Sequence, residues 1–188
     1  MPLHETTPAG EDGPTHEPVE TVASLPGHAA ARCHWSRRPT LLALTRQVVP
    51  LLGEIDVTLR REGVLRGGYI AKNKLGKLDL MLLSCGSELQ HALAAAKELG
   101  EGARVVSMPC FERFERQPES YRAEAGPNEC RKRGAIEAGV PQIWVQYVGL
   151  DDKIIGIDRF GMSAPGNEVM KELGIDAQHV IDAAKSLG

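Results

Sequence analysis

The 188-residue sequence has no apolar run long enough to cross a membrane. Its first ten residues show neither the charged-then-apolar order of a signal peptide nor the arginine excess of a transit peptide. A soluble cytoplasmic protein with no membrane partner is the expectation. A basic surplus is also missing: 22 Lys and Arg against 25 Asp and Glu leave a formal net charge of -3, so no field draws nucleic acid. The four cysteines, at 33, 85, 110 and 130, form no C-x-x-C pair. In a chain too large to need disulfide staples, that offers no zinc site and leaves buried or incidental thiols as the expectation. There is no G-x-G-x-x-G, no P-loop and no internal repeat. What is there, 42% hydrophobic and 25% charged residues, is the make-up of a soluble globular chain. Its length fits one domain, or one and a piece of another.

The chain divides into two unequal parts. In the first, residues 19–25 read as the opening of a helix and residues 40–45 as a short buried strand. Between them, residues 26–39 carry His28, Arg32, His34, Arg37 and Arg38 with little periodicity and read as a solvated linker. Residues 53–73 form a Gly- and charge-rich connection, and a domain boundary is placed within it, giving units 1–66 and 67–188. Beyond it, residues 78–84 are a nearly continuous apolar run, as for a strand covered on both faces. Ser87 with Gln90 gives a capping-box signature. Leu89, Leu93, Ala96 and Leu99 recur at helical spacing until Gly100, and residues 103–108 supply a second strand. Strand, helix, strand over this length is a right-handed crossover between parallel strands. A short helix and loop over 111–121, strands over 132–138 and 153–158, a short helix or buried turn around Trp144, and two closing helices follow, the last capped by Asp176. The fold class is therefore α/β, a mostly parallel sheet of about five strands flanked by helices, preceded by a remnant of another unit.

The candidate chemistry begins in the Pro-bounded stretch of residues 11–20, EDGPTHEPVE. Gly13 permits positive φ and each proline restricts its own φ and the residue before it, so Asp12 and His16 are held in a stiff loop. A carboxylate with an imidazole suits proton movement on hydroxyl-rich substrates. The same residues read equally as an ordinary turn in which Thr15 or Glu17 caps the next helix. Arg46, after the apolar run, stands where a guanidinium can grip phosphate, and equally reads as a surface arginine. His4 alone is a solvated terminal histidine. The Gly86-Ser87-Glu88 turn is read as a plain strand-to-helix connection, Asp158 and Arg159 as a structural pair over Phe160, and Glu137 as one half of an ion pair.

Taken together, GEDGPTHEPVE at 10–20, LTRQ at 44–47, GGY at 67–69, GSE at 86–88, RVVSMP at 104–109 and GIDRFG at 156–161 resemble the C-terminal half of transketolase, in order and rough spacing, over nearly the whole chain. Deoxyxylulose-phosphate synthase has a similar DGxTH loop, but the RVVSMP and DRFG stretches favour transketolase. The resemblance implies the end of a pyrimidine-binding domain joined to the family's C-terminal domain. It implies a thiamine-diphosphate enzyme, with a divalent metal (Mg or Ca), that moves a two-carbon ketol unit between sugar phosphates of the pentose phosphate pathway. It also implies a homodimer, or association with a transketolase subunit. Carried over from the family, Asp12 contacts a substrate hydroxyl, His16 assists proton movements beside the reacting carbons, and His4 with Arg46 holds the sugar phosphate. The sequence departs from the family in lacking the domain that binds the diphosphate and metal, in a shortened 26–39 segment and in Glu17 where Gln is usual. A fragment without turnover of its own is the expectation. The alternatives are a non-catalytic regulatory partner of full-length transketolase and a fragment like deoxyxylulose-phosphate synthase.

Overall fold

The structure, a computed structural model, describes Thr45, residues 47–149 and residues 152–187. The readings for residues 1–44, including the 19–25 helix and the 26–39 linker, and the placement of Arg46 lie outside the described residues.

Burial on both faces selects the centre of the sheet. Strands β2 (Leu80–Ser84) and β3 (Ala103–Ser107) are buried at every position, which is why their sequences do not alternate. β2 pairs in parallel with β3 on one side and with β4 (Arg133–Ile136) on the other. β5 (Lys153–Ile155) extends the sheet in parallel beyond β4. The remaining strand, β1 (Tyr69–Lys72), lies antiparallel on β3, with an irregularity between Ile70 and Lys72. The order is β1-β3-β2-β4-β5.

Two cores follow from the pleat. Leu80, Leu82 and Val105 face helices α2 (Leu89–Glu98) and α6 (Ala177–Lys185), packing against Ala92, Ala95, Ala96, Val180 and Ile181. Ala92, Ala95 and Ala96 have no exposed surface, and their small side chains allow close approach. On the opposite face Met81, Leu83 and Val106 meet Phe111 and Phe114 of α3 (Phe111–Glu115), with Trp144 and Tyr147. Phe111 stacks on Tyr147 at 5.2 Å and meets Trp144 edge-on at 4.9 Å. Arg133 braces this side, its guanidinium donating to the carbonyls of Cys130, Tyr147 and Pro127 at 2.8, 2.8 and 2.9 Å. Helices α4 (Glu119–Ala125) and α5 (Gly166–Glu172) lie in the later connections.

Several local readings change. The connection over 53–73 contains helix α1 (Val57–Arg66) as well as β1; Asp56 caps it through the Leu59 N–H and Gly67, at φ 88°, ends it. Its sequence, VTLRREGVLR, has no clear apolar face, so periodicity gave no sign of it. The region over 111–121 holds α3 and the start of α4 rather than one short helix and a loop. The Ser87 and Gln90 pair is not a capping box: the Ser87 hydroxyl turns to Glu88, and Gln90 Nε2 donates back to the Ser87 carbonyl at 3.0 Å. Phe160 is not packed beneath Asp158 and Arg159; it is 82% exposed. Asp176 does cap the last helix, accepting the His179 N–H at 2.9 Å.

Candidate functional site

The positions assigned from sequence, His4, Asp12, His16 and Arg46, all lie outside the described residues. The described part offers the crevice at the carboxyl ends of β2 and β4. The chain leaves β2 through α2 towards β3, whereas β4 leads on to β5 on the other side. The connections therefore diverge at this point, where open α/β sheets receive their ligands.

Parallel register puts Ser84 opposite Ile136, and the residues just beyond, Cys85 and Glu137, become neighbours. The Cys85 thiol lies 3.0 Å from Glu137 Oε1, and the indole of fully buried Trp144 donates to Glu137 Oε2 at 2.5 Å. Glu137 as a residue is half-buried, with its carboxyl end turned inward onto these two donors. Among the described residues its partners are neutral donors rather than the cation of the expected ion pair. Burial pushes its pKa up to about 7; the Cys85 and Trp144 contacts pull it back, and the charge of Glu88 adds to the rise.

Glu88, 4% exposed, closes the crevice. Its carboxylate accepts from the Ser87 hydroxyl at 2.6 Å and from the Ala138 backbone N–H, while burial pushes its pKa up. Gly86, at φ 58°, provides the left-handed turn from which Ser87 and Glu88 enter α2. From the preceding segment, Gln47 Nε2 reaches Ser87 Oγ at 3.2 Å, and the Gln47 N–H closes onto Thr45 Oγ1 at 3.1 Å. Sequence reading passed over Gln47 as the neighbour of Arg46 and left Ser87 structural. The only early sign was their recurrence within the TRQ and GSE stretches.

Chemically, the crevice holds two carboxyl groups, one of which exchanges its proton near neutrality. The described residues do not fit a diphosphate with its metal. Glu88 occupies the turn with negative charge, and no group of three or more His, Cys, Asp or Glu among the described residues could hold an ion. Also among the described residues, no helix is long and apolar enough to cross a membrane. Cys85, Cys110 and Cys130 are buried.

A doubly wound α/β domain with its crevice at the β2–β4 switch defines the class. Residues 67–176 match the family model for the transketolase-like C-terminal domain, and the chain belongs to the transketolase family. It is 51% identical to the transketolase of Physarum polycephalum over 97% of this chain and 30% of that protein. Transketolase from Leishmania mexicana superposes with a TM-score of 0.84 at 32% identity, over 98% of this chain and 29% of that one. A chain of an inactive β4 tetramer of a split-gene transketolase shares the fold, with a TM-score of 0.65 at 19% identity over 93% of this chain and 63% of that one. The chain thus spans about 30% of the length of the curated relatives it matches.

Proposed function

We propose that this chain is the sugar-phosphate-facing portion of a cytoplasmic transketolase, contributing to transfer of a two-carbon ketol unit from a ketose phosphate to an aldose phosphate, and that it is silent alone. The observation that carries this reading is 51% identity to a transketolase along 97% of the chain, which includes the DGPTH loop and Arg46. In this reading Asp12 orients a substrate hydroxyl and His16 moves protons beside the reacting carbons. Arg46 grips the phosphate in a fork, with His4 beside it. The described residues fit neither thiamine diphosphate nor its divalent ion, so both are assigned to the rest of an assembly, a homodimer of longer chains or a complex with a separate subunit. The inactive β4 tetramer of a split-gene relative supports the second arrangement. The test is turnover with xylulose 5-phosphate, ribose 5-phosphate, thiamine diphosphate and magnesium. The purified chain is expected to give none, and adding a separately expressed N-terminal transketolase portion is expected to restore it. Turnover by the chain alone overturns its silence; no turnover and no association with that portion overturns the assignment.

A further inference from the structure

We propose that the cavity between the sheet and helices α3 and α4 binds a small zwitterion, an α-amino acid with an apolar side chain, which inserts between Glu115 and Arg122. The proposed ketol transfer makes no use of this cavity, so the two readings stand or fall separately.

The cavity has a volume of about 330 Å³, within the range of small-ligand pockets. Met81, Met108 and Phe114 give it an apolar wall, and Glu115, Arg122 and Tyr147 are among its polar groups. Among the described residues, Arg122 Nε and Tyr147 Oη are both shut off from solvent and both lack a hydrogen-bond partner. Native structures normally avoid that cost. Tyr147 is 9% exposed. Burial, and after it the Glu115 carboxylate, push the phenol's pKa up, so the group stays protonated and is a donor at neutral pH. An arginine Nε is a donor only. Two donors without partners, one of them cationic, are answered by an anionic acceptor, and a carboxylate can take Nε and a terminal nitrogen of one guanidinium together.

A lone anion does not suit the cavity. Glu115 and Glu119 both line it, and of its two arginines Arg133 already gives its guanidinium to the carbonyls of Cys130, Tyr147 and Pro127. The ligand therefore carries a cation beside its carboxylate, as an α-amino acid does. Arg122 Nη1 holds Glu115 Oε2 at 2.9 Å, but these side chains are 38% and 43% exposed, so opening the pair costs little. Once it opens, Arg122 takes the ligand carboxylate and Glu115 turns to the ammonium, so one ion pair becomes two. The Tyr147 O–H finds its acceptor in the same carboxylate, and the apolar side chain lies against Met81 and Phe114.

The experiment titrates L-phenylalanine into the full chain and follows the Arg122 Nε–H and the backbone N–H signals of α3 and α4 by nitrogen-15 NMR. Saturable shifts are expected, with hydrocinnamate, which lacks the ammonium, and phenethylamine, which lacks the carboxylate, each at least tenfold weaker. Tyr147→Phe is expected to raise the half-saturating concentration about fivefold, the loss of one net hydrogen bond. Arg122→Gln, which also identifies the Nε–H signal by its disappearance, is expected to raise it at least tenfold. Because Tyr147→Phe removes a hydroxyl that has no partner in the free chain, its melting temperature is expected to be no lower than the parent's. A clear fall would show that the hydroxyl is already bonded and overturns the proposal. So does the absence of saturable shifts, binding of either half-molecule as tight as that of the amino acid, or one half-saturating concentration shared by the parent and both variants.

Discussion

Between the indole of Trp144 and the thiol of Cys85, the carboxyl of Glu137 has two hydrogen-bond partners and, among the described residues, no cation. Its ionised form is therefore costly in a way that an exposed glutamate is not. The sign is set by proton occupancy. An ordinary glutamate releases its proton near 4.5, whereas Glu137 holds it to about 7, so between those values the folded chain binds more protons than the unfolded one. Stability from this group is full below about 4.5, declines as pH climbs through about 7 and is level above. The rise sets an upper bound on the order of 3 kcal/mol. Glu137→Gln keeps an acceptor for Trp144 and removes the titration. The variant is expected to be more stable than the parent at pH 8, by up to that amount, and to converge with it near pH 5. Urea unfolding at four pH values would show parallel curves for the two proteins if the carboxyl were instead ionised throughout. The need for a partner at Glu137 was legible in the sequence, but the partner was not. Cys85 and Trp144 are brought to it by the pairing of β2 with β4 and by the fold-back of residues 141–144, and neither relation leaves a periodic trace.

The elements were readable where burial imposes a period and obscure where capping alone decides. The β2–α2–β3 unit announces itself by a continuous apolar run, a helical stripe and Gly100. Helix α1 is fixed by its ends, Asp56 and Gly67, and its polar body looks like a loop. The end at Gly67 is the stronger constraint. A Cβ there would lie 2.3 Å from the Cys110 carbonyl oxygen and 2.4 Å from the Phe114 nitrogen, on a backbone already at φ 88°. Gly76, at φ 73°, has nothing within 4 Å of the same atom. Gly76→Ala therefore tests the left-handed backbone alone, and about 1 kcal/mol of lost stability is expected. Gly67→Ala adds collision with the α3 backbone and is expected to cost on the order of 2–4 kcal/mol. Equal losses in denaturant titrations would mean that α1 simply shifts away from α3. For the candidate site the limit was different. The site residues expected from the motif resemblance fall outside the described residues, whereas the crevice carboxyls belong to no motif that names their chemistry.

At the scale of the whole molecule, the α/β domain has its own two-sided core, yet the segment entering it is apolar and uncovered. Residues 48–51 read V-V-P-L and all four are exposed, Val48 and Leu51 almost completely. Single exposed apolar side chains are ordinary, but a consecutive run beside Gln47 is surface that an assembly partner can cover. On the proposed reading that partner is the rest of a transketolase, because the chain corresponds to about 30% of the length of its relatives. If residues 48–51 lie against that portion, Val48→Ser with Leu51→Ser should weaken assembly without weakening the domain. In titrations of the N-terminal portion into this chain, the concentration giving half-maximal turnover is expected to rise about tenfold, equivalent to ~1.4 kcal/mol of association free energy. Maximal turnover should be kept, and the melting temperature of the isolated chain should move little, as for surface substitutions in general. A half-maximal concentration unchanged by the double substitution would place the assembly surface elsewhere on the molecule. A large fall in melting temperature would show that this run is already part of the domain's own packing.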